Sequence, residues 1–90
     1  MTRTPVVTGQ FRKDVKRLQR QHKDLAKLRG VMEALLQGQA LPTDLRDHKL
    51  QGRWRGRREC HIEPDWLLIY LLEPQEVIFE RTGSHADLFE

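Results

Sequence analysis

The sequence predicts an α+β domain in which an antiparallel hairpin of two N-terminal helices packs on a small antiparallel sheet of three to four strands. Three observations carry that reading. Apolar residues recur at helical spacing through the first half, and the period changes to two from Trp54 onward. The chain has 90 residues, enough for a single domain spanning 1–90. A domain of that size buries about 60–65% of the surface its unfolded form exposes.

Val6 and Val7, after Pro5, suit a short edge strand. From Gln10 onward, Phe11, Val15 and Leu18 share one face while Lys and Arg fill the other, giving a first helix. The stretch from Arg20 to Asp24 interrupts this pattern and turns, with Asp24 placed to cap a second helix. That helix repeats Leu25, Leu28, Val31, Met32, Leu35 and Leu36. Gly38 suits its C-terminal cap, and Pro42 prevents simple continuation.

Trp54–Ile62 reads as a strand, with Arg58, Cys60 and Ile62 on one side and Arg57, Glu59 and His61 on the other. Pro64 ends or bends it. Trp66–Leu72 is apolar on both faces, as in a central strand. Glu73 to Glu76 forms a hairpin loop around Pro74. Val77–Thr82 returns with Val77, Phe79 and Arg81 on one face and Ile78, Glu80 and Thr82 on the other. Gly83 releases the chain into the tail Ser84–Phe89.

The net charge of +3 hides an uneven distribution. Residues 1–45 carry nine Lys and Arg against four acids, and residues 46–58 carry six against one. Residues 59–90 reverse the sign, with eight acids and only Arg81. A basic centre of this density attracts a polyanion, whether RNA, DNA or an acidic protein segment. A solvated surface is the plain alternative. The N-terminus lacks the apolar core of a signal peptide, and the longest apolar run, Trp66–Leu72, is of strand length. A lone Cys60 makes no intrachain disulfide. The expected compartment is the cytoplasm, with no membrane partner.

Four histidines, at 22, 48, 61 and 85, are the candidates for chemistry. His22 lies among lysines in the helix turn and reads as surface. A meander can gather His48, His61 and His85 at strand ends beside Asp65. Two or three imidazoles near a phosphate serve as general base and general acid. RNA suits such groups because it supplies its own nucleophile, the ribose 2′-hydroxyl. Arg81 is placed to stabilise the developing phosphorane, and Lys49, Arg53, Arg55 and Arg58 to hold the backbone. Zinc is disfavoured because no histidine pair has compact ligand spacing, and scattered acids argue against two-metal hydrolysis. No cofactor is expected. Trp66 belongs by default to the core, with stacking on a base as the alternative. Phe89 either plugs the core or offers an exposed platform. These features reach no further than a small basic α+β domain that binds RNA.

The segment from His48 to Tyr70 sets His48, Leu50, Gly52, Trp54, Gly56, Arg58, His61, Pro64, Asp65, Trp66 and Tyr70 at fixed spacings. Together with Phe79-Glu-Arg81-Thr-Gly83-Ser-His85-Ala-Asp-Leu-Phe89, it closely resembles the YafQ-type toxins of the RelE/ParE superfamily. The resemblance covers almost the whole chain and includes Phe11-Arg-Lys-Asp-Val15 in the helical half. It implies a RelE/ParE-like fold and a ribosome-dependent endoribonuclease, an mRNA interferase that cuts mRNA in the A site of the 70S ribosome, near 16S rRNA. It also implies a cognate antitoxin, which inhibits the toxin and forms with it a complex that binds operator DNA.

The residues matching the family's site are His48, His61, Asp65 and His85, supported by Trp66 and Phe89. The resemblance makes His85 the general acid, His61 or Asp65 the group that orients or removes the 2′-proton, and His48 an assistant at the phosphate. Arg81 matches an arginine near the phosphate. Arg57 stands where close relatives are expected to carry a less charged residue such as tyrosine. Two other readings compete: the gyrase-poisoning ParE-like branch, which needs no histidine constellation, and a non-catalytic nucleic-acid-binding module, which gives His85 and Phe89 no shared purpose.

Overall fold

A computed structural model describes residues 2–89. The chain runs β1 (Thr4–Val7), α1 (Gly9–Arg20), α2 (Leu25–Leu36), β2 (His48–Lys49), β3 (Arg58–Glu63), β4 (Trp66–Leu72), β5 (Glu76–Gly83) and α3 (His85–Phe89). Short 3₁₀ turns at Thr43–Leu45 and Gly52–Trp54 flank β2. No helix among the described residues is long and apolar enough to cross a membrane.

Both long helices begin and end where side-chain chemistry sets their limits. Thr8 Oγ1 accepts the Phe11 N–H (2.9 Å) at the start of α1, and Asp24 Oδ1 accepts that of Ala26 (3.1 Å) at the start of α2. Gly38, at φ +71°, closes α2 as expected. Its N–H donates to Leu35 O (3.2 Å) and the Gln39 N–H to Ala34 O (2.9 Å), the paired bonds of a Schellman motif.

The sheet has five strands in the order β1-β5-β4-β3-β2, more than the three to four expected. Nor is it wholly antiparallel, because β1 runs parallel to β5, with Thr4 opposite Glu76 and Val7 opposite Phe79. Local periodicity marks Val6 and Val7 as extended but carries no information about a partner some seventy residues away. The strand expected over Trp54–Ile62 begins only at Arg58. Gly52–Trp54 turns as a 3₁₀ helix, and Gly56, at φ +92°, sits in the left-handed region, which a regular strand cannot use. The extra strand β2 pairs His48 with Glu59 and Lys49 with Arg58.

Two apolar clusters sandwich the sheet. Phe11, Leu18, Leu28 and Leu35 of the helices bury Cys60, Trp66, Leu68, Tyr70, Val77 and Phe79. On the other face, Leu88 of α3 packs on Leu67 and Ile69, with Leu50 and Trp54 at the margin. Strand β4 is therefore covered on both sides, which explains its unbroken apolar run. Each large apolar side chain so buried contributes about 1.5–3 kcal/mol.

A bulge in β5 departs from simple alternation. Tyr70 lies opposite Phe79 but Ile69 lies opposite Arg81, leaving Glu80 as the extra residue. Thr82, rather than Arg81, thus joins Val77 and Phe79 on the helix side, where its hydroxyl accepts from Trp66 Nε1 (3.0 Å). Beyond the end of β1, Thr8 Oγ1 donates to Glu80 O (2.9 Å) and the buried Asp14 accepts the Thr82 N–H (3.1 Å). Helix α1 thereby satisfies the edge that β1 leaves unpaired.

Candidate active site

Three elements bring the expected histidines together on the sheet face away from α1 and α2. On β3, Cys60 faces the helices, so Glu59 and His61 point the other way. His48, opposite Glu59 on β2, joins them. His85 opens α3, which Leu88 pins to Leu67 and Ile69. The rings form one row, with centroids 6.3 Å apart for His48–His61, 5.9 Å for His61–His85 and 6.2 Å for His85–Phe89. His22 is exposed in the turn between α1 and α2, outside the row.

Asp65, in the β3–β4 turn, fixes the position of His85. Its Oδ1 accepts both the backbone N–H of His85 (3.0 Å) and the ring Nδ1–H (2.8 Å). These two bonds, the backbone one first, hold the Asp65 carboxyl below the usual carboxylate range. A ring anchored through Nδ1 leaves Nε2 for a substrate. Ser84 and Asp87 add a reciprocal cap to α3: the Ser84 N–H donates to Asp87 Oδ2 (3.0 Å), and the Asp87 N–H to Ser84 Oγ (3.2 Å).

Sequence reasoning missed Glu59. Its side chain is only 6% exposed, and Oε1 lies 3.2 Å from His61 Nε2 and 3.7 Å from His48 Nε2. Nothing in strand alternation singles it out. The signal appears only once Glu59 is known to pair with His48 across β2–β3. The other ring nitrogens meet carbonyls: His48 Nδ1 is 2.6 Å from Arg46 O, and His61 Nδ1 a looser 3.4 Å from Pro64 O.

The aromatic candidates divide. Trp66 is 1% exposed in the helix-side core, so its ring has no face to offer a base. Phe89 is 44% exposed beside His85, and the plug is its neighbour Leu88. Cys60 is no nucleophile, since burial first, then Asp47 and Glu59, push its thiol up to about 12.

Arg81 is not the free cation the sequence suggested. Its Nε and Nη2 lie 2.8 and 3.2 Å from Asp14, which also takes a bond from Arg17 (2.9 Å). Burial pushes the Asp14 carboxyl up, but Arg81, the Thr82 N–H and Arg17 outweigh it and hold the group below its ordinary value. Arg58 is likewise committed, with Nε and Nη2 each 3.2 Å from the two oxygens of Asp47. Arg57 pairs with Glu80 at 2.9 Å. Lys49, Arg53 and Arg55 are exposed and make no ion pair among the described residues. Lys49, Arg55, Arg57 and Arg58 line a groove of about 570 Å³ beside β2. Among the described residues, no group of three or more His, Cys, Asp or Glu is arranged to hold a metal ion.

Comparison with known proteins places this architecture in a definite class, the bacterial toxins of type II toxin–antitoxin systems, and a family model of that description, for YafQ, matches residues 3–90. Within that class the chain belongs to the YafQ toxin family. It is 51% identical over 83 residues to the mRNA interferase toxin YafQ of Escherichia coli K12, covering 91% of this chain and 90% of that protein. The fold is similar to the crystal structure of YafQ from E. coli BL21(DE3), with TM-score 0.94, 47% identity, and 98% and 99% of the two chains covered. It is also similar to a chain of the E. coli DinJ-YafQ toxin-antitoxin complex, with TM-score 0.92, 47% identity and 100% of both chains covered.

Proposed function

We propose that this toxin is an mRNA interferase that cuts mRNA in the ribosomal A site, without a metal ion, by attack of the ribose 2′-hydroxyl on the adjacent phosphorus. The observation that carries the reading is the continuous row His48–His61–His85–Phe89, with carboxylates at Glu59 and Asp65. A base, an acid and a stacking platform follow one another, with ring centroids 5.9 and 6.2 Å apart.

His61 takes the 2′-proton, since Asp65 is already bonded twice to His85. The 2′-oxygen then bonds to phosphorus, the P–O5′ bond breaks, and His85 Nε2 gives its proton to the leaving O5′. The products are a 2′,3′-cyclic phosphate and a 5′-hydroxyl. His48 adds positive charge beside the phosphorane. Phe89 supports a base of the codon by stacking. Arg81, held by Asp14, fixes β5 beneath α3 instead of serving as the principal phosphate contact. Trp66 supports the site from within the core.

Lys49, Arg53 and Arg55 face ribosomal RNA, because a single codon offers few phosphates to hold them. The cytoplasm, where ribosomes reside, is the place of action. A cognate antitoxin with an acidic arm covers the basic groove beside β2, and the resulting complex binds operator DNA.

Primer extension on a defined mRNA, with and without programmed 70S ribosomes and with EDTA in the ribosome-free arm, tests the reading. Cleavage inside the A-site codon only when ribosomes are present is the expected result. No cleavage in either arm by folded protein sinks it and moves attention to gyrase poisoning or simple binding.

A further inference from the structure

His48 stands on a strand too short to hold it. Strand β2 has two residues at the open edge of the sheet, paired with Glu59 and Arg58 of β3, and the His48 side chain is half exposed. The turn that leads into it is strained as well. Arg46 sits at φ +53°, in the left-handed region that residues other than glycine seldom adopt and that persists only where neighbouring contacts enforce it. Its carbonyl is nonetheless the fixed point of the His48 ring, 2.6 Å from Nδ1.

The enforcing contacts come from Asp47, the residue between them. Its two oxygens take the Arg58 guanidinium as a fork, with Nε and Nη2 each at 3.2 Å, and Oδ1 also accepts the Tyr70 hydroxyl (2.5 Å). Burial first, then that bond, raises the Tyr70 hydroxyl, so it stays protonated and donates. Tyr70 is fully buried on β4 and Arg58 lies on β3, so one carboxylate ties the turn to two inner strands. The planar fork fixes orientation as well as distance. Tyr70 belongs to the helix side of the sheet, while the next residue after Asp47, His48, faces the row of rings on the other side. A carbonyl only accepts, so the His48 ring carries its proton on Nδ1 and turns Nε2 toward the site.

We propose that Asp47 is a positioning residue of the site. Clamped by Arg58 and Tyr70, it holds the Arg46–His48 turn so that the His48 ring keeps its bond to the Arg46 carbonyl and its place beside the scissile phosphate. Arg58 thereby has a role other than holding the RNA backbone. The Asp47 carboxylate is turned away from the row of rings and exchanges no proton in the reaction; its effect passes through His48. The proposal rests on the reading of the site as an acid–base ribonuclease.

A double-mutant cycle on the intact protein separates positioning from plain stabilisation. Single-turnover cleavage of ribosome-bound mRNA is measured for Asp47→Asn, Tyr70→Phe and His48→Ala, and for each of the first two combined with the third. The half-saturating toxin concentration is recorded separately. Asparagine breaks the fork by removing one acceptor and the charge, and phenylalanine removes only the hydroxyl. A reacting group misplaced by about 1 Å costs up to ~10²-fold. Asp47→Asn should therefore slow cleavage roughly 10–100-fold and Tyr70→Phe about 3–10-fold, while half-saturation moves less than about threefold. In the His48→Ala background, either change should cost less than about twofold. Nitrogen-15 NMR of the imidazole rings gives an independent readout. Neutral His48 should carry its proton on Nδ1 in the parent and divide between the two tautomers in Asp47→Asn. A parental rate in Asp47→Asn, equal losses with and without His48, or an unchanged His48 ring overturns the proposal, as does a His48→Ala protein that cleaves like the parent. If His48→Ala leaves no measurable cleavage, the rate and the ring spectrum of Asp47→Asn decide. A parent that cleaves nothing overturns the ribonuclease reading instead, while the ring spectrum still decides whether Asp47 holds His48.

Discussion

Replacing Asp14 by asparagine tests the junction that ties β5 to α1. The carboxylate is fully buried and accepts five bonds, two from Arg81 (2.8 and 3.2 Å), one from Arg17 (2.9 Å), one from the Thr82 N–H (3.1 Å) and a longer one from Gln10 Nε2 (3.4 Å). Bonds to a charged partner contribute about 1.5–3 kcal/mol each when nothing replaces them. Both guanidiniums retain some access to solvent, so water recovers part of that loss. Asparagine keeps an oxygen for Thr82 and removes the charge, which should cost about 2 kcal/mol, whereas alanine strands both arginines and should cost about 3–4. A domain of this size has roughly 5–13 kcal/mol in hand, so both variants fold. Urea denaturation at pH 7 measures the loss, and the asparagine variant should melt roughly 8–16 °C below the parent. The sign with pH follows from the lowered Asp14 carboxyl. Its contribution is complete above the unfolded value of about 4 and is lost as pH falls through the lower folded one. Parent and Asp14→Asn should therefore converge in stability only under strongly acidic conditions. A loss below about 0.5 kcal/mol at pH 7, or a gap unchanged by acid, would refute the argument.

Neighbouring tail residues should separate stability from activity: Leu88→Ala should cost about 2–3 kcal/mol in denaturant, while Phe89→Ala should fold like the parent and lose codon cleavage. Asp65→Ala removes the acceptor of the His85 amide and ring, so hydrogen exchange at the His85 amide should accelerate and cleavage should fall with little change in ribosome binding. His85→Ala should abolish cleavage of ribosome-bound mRNA at undiminished binding, and parental rates in that variant would remove His85 from the mechanism. Arg55→Ala should weaken ribosome association and lower its logarithmic salt dependence by about one unit, leaving the rate at saturation unchanged; an unchanged salt slope would take Arg55 out of the interface.

What sequence reveals here follows the range of each interaction. The helices were legible because Phe11, Val15, Leu18 and Leu25 through Leu36 repeat within a few turns, and Asp24 and Gly38 cap the second locally; the Thr8 cap of the first emerged only from the structure. The doubly covered β4 was legible from its composition. The pairing of β1 with β5 and of His48 with Glu59 was not, because each depends on residues remote in the chain or on a two-residue strand. The bulge at Glu80 moved Arg81 out of the alternation that placed it beside Phe79. Within the site, His48, His61, Asp65 and His85 stood out by residue type, and the structure gathers all four. Glu59 did not, since an acid in a strand looks like an ordinary solvent-facing residue until its neighbours are known. Trp66 and Phe89 offered two readings each, and burial separates them.

The parallel pairing of β1 with β5 also bears on how the toxin comes into being. Thr4–Val7 is made about seventy residues ahead of its partner Glu76–Phe79, so the order of synthesis leaves β1 and Asp14 waiting over that interval. The closing of so long a loop is a late and slow event in folding. The segment that completes the sheet leads directly into His85 and Phe89. A partly made chain thus holds neither a finished core nor the row of rings that His85 and Phe89 complete.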